Sequence, residues 1–214
     1  MAIDTGDLRV NYDLDELLET QVSTDPFTQF EAWFTTAQKS SCPEPNAMVL
    51  ATVQANDMPA ARVVLLKEVR SNGFIFYTNY ESRKGQELAK NPRAALVFNW
   101  LELQRQVRIE GRIEKISQED STAYFQRRPK GSQIGAWASP QSKVIVGRSV
   151  LEERKSALEQ QYAANEKLPR PPQWGGYIVL PELVEFWQGR SSRLHDRLQY
   201  TKDGERWRLD RLAP

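Results

Sequence analysis

The 214 residues carry 29 Lys and Arg against 28 Asp and Glu, with 40% hydrophobic and 27% charged side chains. This is ordinary globular composition, which excludes disorder, and the net charge of +1 offers no overall field for nucleic acid or an anionic membrane. Cys42 is the only cysteine and His195 the only histidine, so an internal disulfide is excluded and a His/Cys metal site is not expected.

The first twenty residues, MAIDTGDLRVNYDLDELLET, are acidic and lack an apolar signal core, and no window approaches the roughly 18 apolar residues of a membrane span. A protein of the reducing cytoplasm is expected. Residues 1–24 read as an arm that is mobile or docks elsewhere, and 25–214 as a single domain. Asp25-Pro26 supplies an N-cap and a first-turn proline, and Phe27, Phe30, Trp33 and Phe34 recur at helical spacing as far as Lys39. Three β-branched and aromatic runs follow, 47–54, 61–69 and 74–78, separated by Asn56-Asp57 and Ser71-Asn72-Gly73. They predict an antiparallel meander.

Ser82 can cap a short helix closed by Pro92; strands are expected over 93–100 and 104–116. Ser117 opens a helix stopped by Pro129, and Ser149 a longer one to about Asn165. Strands return over 175–180, 184–188, 193–200 and 207–209, with a Lys202-Asp203-Gly204 turn. The sum is mainly β with interspersed helices, most simply a small antiparallel barrel.

Four constellations are candidates to carry chemistry. Arg62 and Lys67 bound the strand RVVLLK and face opposite sides if it is flat; alone, they could be ordinary charges at the ends of a buried strand. In the second, a strand end runs through Tyr77 and Thr78 into a helix start with Ser82, Arg83 and Lys84. Two cations at a helix N-terminus oppose its dipole, which an anion would offset, although a solvated basic turn has the same pattern.

Tyr124 and Arg128 lie four apart on one helix face, with Ser132 beyond Pro129, a set suited to a phosphate monoester or to a surface Tyr–Arg stack. Finally, a strand over Arg193, His195 and Arg197 would place three basic groups on one face near Trp187. They would repel unless anionic or electron-rich ligand atoms lay among them, although a lone histidine is more often structural.

The stretches RVVLLK, FYTNYESRK, RQVRIEG, YFQRRPKGSQIGAWAS, WGGY, EFWQG, RLHDR and DRLAP resemble, in order and spacing, the pyridoxamine 5′-phosphate oxidase family from about Asp25 to Pro214. The resemblance implies an FMN-binding split β-barrel, antiparallel and of Greek-key type, in a homodimer with two flavin sites at the subunit interface. It implies oxidation of pyridoxamine or pyridoxine 5′-phosphate by oxygen to pyridoxal 5′-phosphate and hydrogen peroxide, within vitamin B6 salvage and biosynthesis.

By the same resemblance, the strand Arg62, Val63, Val64, Leu65, Leu66 and Lys67, with Tyr77, Thr78, Arg83 and Lys84, contacts non-covalent FMN. Arg62, Arg83, Lys84 and Thr78 would hold its phosphate and ribityl chain, and Gln106, Gln141, Ser142, Trp187 and Arg197 the rest of the flavin. Lys67, Tyr124, Arg128 and Ser132 would clamp the substrate phosphate. Arg193, Leu194 and His195 would lie at the substrate ring, with Arg193, His195 and Arg197 as the catalytic set. His195 could transfer a proton or only orient ring substituents. The family's arm carries a basic Arg-Arg-Glu-Tyr-like stretch that closes over the site. Here Arg9-Val10-Asn11-Tyr12 precedes acidic DLDELLET, leaving Arg9 and Tyr12 as lid contacts.

Three other readings compete. A split-barrel flavin enzyme with another substrate would not need the phosphate clamp. A non-catalytic pyridoxal phosphate binder would not need flavin. A nucleic-acid module would need exposed aromatics, whereas here they lie in core runs.

Overall fold

The computed structural model describes residues 3–8 and 10–214. The first helix, α1 (Pro26–Lys39), starts where Asp25 accepts the Thr28 N–H at 2.9 Å. Strands β1 (Ala47–Val53), β2 (Pro59–Leu65), β3 (Glu68–Arg70) and β4 (Gly73–Asn79) lead into α2 (Arg83–Lys90), capped by Ser82. Then come β5 (Arg93–Trp100), β6 (Arg105–Lys115), α3 (Gln118–Arg127), α4 (Lys130–Ala138), α5 (Ser149–Gln161), β7 (Trp174–Gln188), β8 (Asp196–Asp203) and β9 (Arg206–Arg211). The sheet runs β2-β1-β5-β6-β7-β4-β3, with β8 on β7 and β9 on β8. Among the described residues no helix is long and apolar enough to cross a membrane.

The chain divides into two compact units. One holds Met1–Val49, Ala95–Glu110 and Pro181–Pro214; the other holds Leu50–Ala94 and Gly111–Leu180. In the first, the buried face of α1 presents Phe30 to Phe98 (centroids 5.0 Å apart) and Trp33 edge-on to Phe186 (5.2 Å). Each fully buried aromatic of this kind contributes roughly 1.5–3 kcal/mol. In the second, Phe125, Ile134, Leu168 and Trp174 form a core against which Tyr77 and Tyr124 pack.

Several expected boundaries moved. The run 61–69 is broken after Leu65, leaving Lys67 between β2 and β3, its N–H on Ile75 O at 2.8 Å. The two strands expected over 175–180 and 184–188 are one, β7, which passes through Pro181. That residue falls between the ladder to β4, ending at Val179, and the ladder to β8, starting at Leu183, so its missing N–H costs neither a bond. The helix from Ser149 ends at Gln161 rather than near Asn165.

Helix α4 is unannounced in a segment with two glycines. Pro129 drives Arg128 to extended backbone (φ −70°, ψ 147°) and ends α3, and the chain then restarts. Gln133, buried, ties the new helix down, donating to Arg128 O and accepting from Leu168 N, both at 2.8 Å. The strand expected over 193–200 begins only at Asp196. Arg193 instead closes a tight turn in which Ser192 and Arg193 take left-handed φ of 56° and 62°.

Candidate active site

Arg62 comes from β2 and Arg83 and Lys84 from the first turn of α2; with Ser142 they border one cleft of about 420 Å³. Ser142 has a left-handed φ of 71°, a strained backbone held at the cleft edge. Glu87 Oε2 accepts from Arg62 at 2.9 Å and from Thr52 Oγ1 at 2.5 Å, and its Oε1 accepts from Arg83 at 3.1 Å. Burial opposes its ionisation, but Thr52 and the two guanidiniums outweigh this and hold its carboxyl below the ordinary range. Lys84 is buried and donates to Thr78 Oγ1 at 3.3 Å. Desolvation, then the Arg62 charge, pushes its pKa down. Three cations therefore face one carboxylate, an excess that a phosphomonoester near −2 would match. Gln141 stands beside this group, its Oε1 3.4 Å from Asn79 N and 3.5 Å from Thr78 Oγ1.

The predicted phosphate clamp assembles in part. Arg128 and Ser132 line a second cleft of about 270 Å³ with Asn79, Gln141 and Trp174. The Arg128 guanidinium lies 4.6 Å over the Trp174 ring, and its Nη1 is buried with no hydrogen-bond partner among the described residues. An unsatisfied buried donor costs about 1–3 kcal/mol, more when charged, so it marks a place for an anion. Burial lowers the Arg128 pKa and raises that of Tyr124. Tyr124 stacks on Tyr77 at 3.9 Å, and Tyr77 on Trp174 at 5.3 Å; burial pushes the Tyr77 phenol up to about 12, so it stays protonated. Tyr77 belongs to the ring stack that includes Trp174, the ring under Arg128. Lys67 is exposed, as is Val63; Val64 and Leu65 are half-buried and Leu66 is buried.

The RLHDR segment departs from expectation. Arg193 and His195 precede β8, so the three basic residues share no strand face, and Arg193 and Leu194 are exposed. Of the three, Arg197 meets a protein carboxylate: Glu185, buried, accepts from Arg197 at 2.8 Å and from Arg108 at 3.3 Å, while Asp196 pairs with Arg211 at 2.7 Å. His195 Nδ1 accepts the Arg190 N–H at 3.1 Å, which leaves the proton of a neutral imidazole on Nε2. Its ring lies 4.6 Å from that of Trp187 and 5.9 Å from that of Tyr12. Gln106 is half-buried on the face of β6 opposite buried Val107 and Ile109.

The arm docks through the acidic stretch in which it differs from the pattern of the resemblance. Asp13 and Leu14 N–H groups share Gln104 Oε1 (3.0 and 3.3 Å), Asp15 pairs with Arg105 at 2.6 Å, Arg190 reaches Asp15 O at 3.1 Å, and Glu19 pairs with Arg211 at 2.6 Å. Tyr12 is thereby held beside His195 in a cleft of about 480 Å³ that Arg190, Ser192 and Arg193 also line. Arg9 lies outside the described residues. Sequence reasoning missed Glu87, Glu185, Arg190 and Trp174. Acids inside strands and helices read as solvated faces, and only the pairing of each with a predicted site arginine exposes its part.

Residues 34–162 match the family model described as pyridoxamine 5′-phosphate oxidase, and 174–214 that of a pyridoxine 5′-phosphate oxidase C-terminal dimerisation region. The chain belongs to the pyridoxamine 5′-phosphate oxidase family. Pyridoxine/pyridoxamine 5′-phosphate oxidases of Acaryochloris marina and Burkholderia ambifaria are 59% and 57% identical to it, covering 98% of this chain and 95% and 98% of theirs. Among solved structures, PhzG from Burkholderia lata, in complex with tetrahydrophenazine-1-carboxylic acid, is 32% identical with a TM-score of 0.87 over 94% of this chain and 99% of its own. A pyridoxamine 5′-phosphate oxidase-related, FMN binding protein from Nostoc punctiforme, 18% identical, shares the fold with a TM-score of 0.70 over 88% of this chain and 97% of its own. The expected fold class, an antiparallel split barrel with interspersed helices, is that of the family. As a member of the pyridoxamine 5′-phosphate oxidase family, the chain is an oxidoreductase of the flavoprotein class.

Proposed function

We propose that this protein is a homodimeric FMN-dependent oxidase that converts pyridoxamine and pyridoxine 5′-phosphates to pyridoxal 5′-phosphate with molecular oxygen. Hydrogen peroxide is released in both cases, and ammonia from the amine. The observation that carries the reading is the buried Nη1 of Arg128, without a partner among the described residues and set over Trp174 in a cleft that Ser132 shares. A guanidinium left with an unused buried donor suits a phosphate monoester, and a binder of flavin alone has no use for it.

Arg62, Arg83, Lys84 and Thr78 are the residues that would hold the FMN phosphate, with Gln141 and Ser142 beside them. When bound there, the flavin supplies the two-electron acceptor that oxygen reoxidises. The protein's part is placement. Tyr124, Arg128, Ser132 and Lys67 would fix the substrate by its phosphate, which removes the orientational freedom that otherwise raises the barrier. His195, with its neutral-form proton on Nε2, would donate to a ring substituent of the substrate. Tyr12 would cover that ring and exclude water. Arg197, held by Glu185, would present a fixed positive charge to the pyrimidine edge of the flavin at the subunit interface.

A second reading is oxidation of a polycyclic carboxylic acid, favoured by the likeness to the Burkholderia lata PhzG complex, since an unpaired guanidinium accepts carboxylate as well as phosphate. One experiment decides. The purified protein is examined for a flavin spectrum, then given pyridoxamine 5′-phosphate in air while peroxide and pyridoxal 5′-phosphate are measured, with a reduced phenazine carboxylate in parallel. Bound flavin with neither B6 product would sink the B6 oxidase reading, and turnover of the phenazine alone would establish the second.

A further inference from the structure

Among the described residues, Glu87 is the only acidic side chain that pairs with the phosphate-site arginines, and it is almost sealed from solvent, at 6% exposure. It sits four residues after Arg83 on α2, so both lie on one helix face, and Arg62 reaches it from β2. One carboxylate therefore clamps two guanidiniums from different elements. Thr52, on β1, braces the clamp: its hydroxyl donates to Glu87 Oε2, and Arg62 donates in turn to Thr52 Oγ1 and, at 3.2 Å, to Leu50 O. Arg83 is further fixed by Gln54 Oε1 at 2.5 Å. A guanidinium has five N–H donors, so these contacts leave both arginines with donors for a ligand.

Two effects of Glu87 on an anion in the Arg62–Arg83–Lys84 cleft have opposite sign. Its charge repels the anion. Against this, three cations without it would repel one another, and each long side chain would have to be ordered afresh on binding. The second effect dominates here, because both carboxylate oxygens are already occupied by the donors they orient and their charge is locally neutralised.

We propose that Glu87 is a positioning residue of the phosphate site: without touching the ligand, it sets how tightly the phosphate end of the flavin is held. The proposal rests on the FMN reading above. It distinguishes FMN from riboflavin, which lacks the phosphate, and a merely structural role for Glu87 would not.

The test is titration of FMN and of riboflavin into the flavin-free full-length chain, followed by quenching of flavin fluorescence, for wild type, Glu87→Gln and Thr52→Val. Glutamine keeps the shape but replaces one acceptor oxygen with a donor and loses the charge, so it cannot hold both arginines. For Glu87→Gln the FMN Kd rises about tenfold or more, as expected for losing a hydrogen-bonded charge, while riboflavin binding stays within about threefold. Thr52→Val, which removes only the brace, shifts FMN in the same direction by less, and carries the test alone if Glu87→Gln does not fold. An unchanged or tighter FMN Kd, or equal losses for both flavins, would overturn the proposal. A wild type that binds no FMN would overturn the flavin reading and the proposal together, an outcome distinct from a variant that matches a binding-competent wild type.

Discussion

Tyr12 stands edge-on to Trp187, the two ring centroids 5.9 Å apart and the planes at 89°, directly over Gly189. A Cβ at Gly189 would lie 2.8 Å from the Tyr12 ring, so only glycine lets the arm settle there. Gly189→Ala is therefore expected to push Tyr12 off Trp187 and raise the KM for pyridoxamine 5′-phosphate. The same change in a Tyr12→Ala background should add almost nothing, because the clash has gone. Additive effects in the double variant would show that Gly189 acts through something other than Tyr12.

The arm is held by exposed or half-exposed pairs, each worth about 0.2–1 kcal/mol and screened by salt. Arg190→Gln removes contacts to Asp15 O and Glu16 while keeping the backbone N–H that holds His195. It should speed proteolysis of the arm and raise KM roughly two- to fivefold, with wild type approaching the variant as salt increases. Identical cleavage rates at low salt would rule out this latch.

Acid should release the end of the arm before it unfolds the core. The hydrogen bond from Arg211 holds the Glu19 carboxyl at about 2, down from 4.5. A carboxyl depressed in the fold stabilises it fully above pH 4.5 and loses that contribution as pH falls from 4.5 through about 2. Protection factors at residues 17–21, exchange rates divided into the intrinsic rate at each pH, should thus fall across this window in wild type, and already be low at pH 6 in Glu19→Gln. Protection factors that stay constant in wild type down to pH 2 would contradict the assignment.

Arg128→Lys keeps the charge but loses the planar fork over Trp174. Its kcat/KM for pyridoxamine 5′-phosphate should drop about 10- to 100-fold, mainly through KM, with bound flavin unchanged. Loss of flavin together with activity would place Arg128 at the cofactor instead.

Gly85, in the first turn of α2, has no room for a methyl group against the Tyr80 backbone. Gly85→Ala should destabilise the protein by about 1–3 kcal/mol, read as a lower urea midpoint at unchanged slope. A midpoint equal to wild type would mean that Tyr80 can yield.

The sequence alone determined what depends on short range. Asp25-Pro26, Ser82 and Ser117 announced their helices because a cap acts within three residues. Alternation placed β1, β4, β5 and β6 within a residue or so, and eight ordered motifs disclosed the family. The N-terminal composition also showed an acidic arm, but not what an acidic arm is for.

Tertiary structure decided the rest, because it depends on partners distant in the chain. Helix α4 stands on the bond of Gln133 to Leu168, 35 residues away, which no local propensity reports. His195 is fixed by a backbone N–H across a strained turn, where alternation had placed it in a strand. Tyr12 is held over Trp187 because Asp15, Glu16 and Glu19 find Arg105, Arg190 and Arg211 from 90 to 192 residues further on. A charge pattern shows which groups need partners; only the fold chooses which partners they meet.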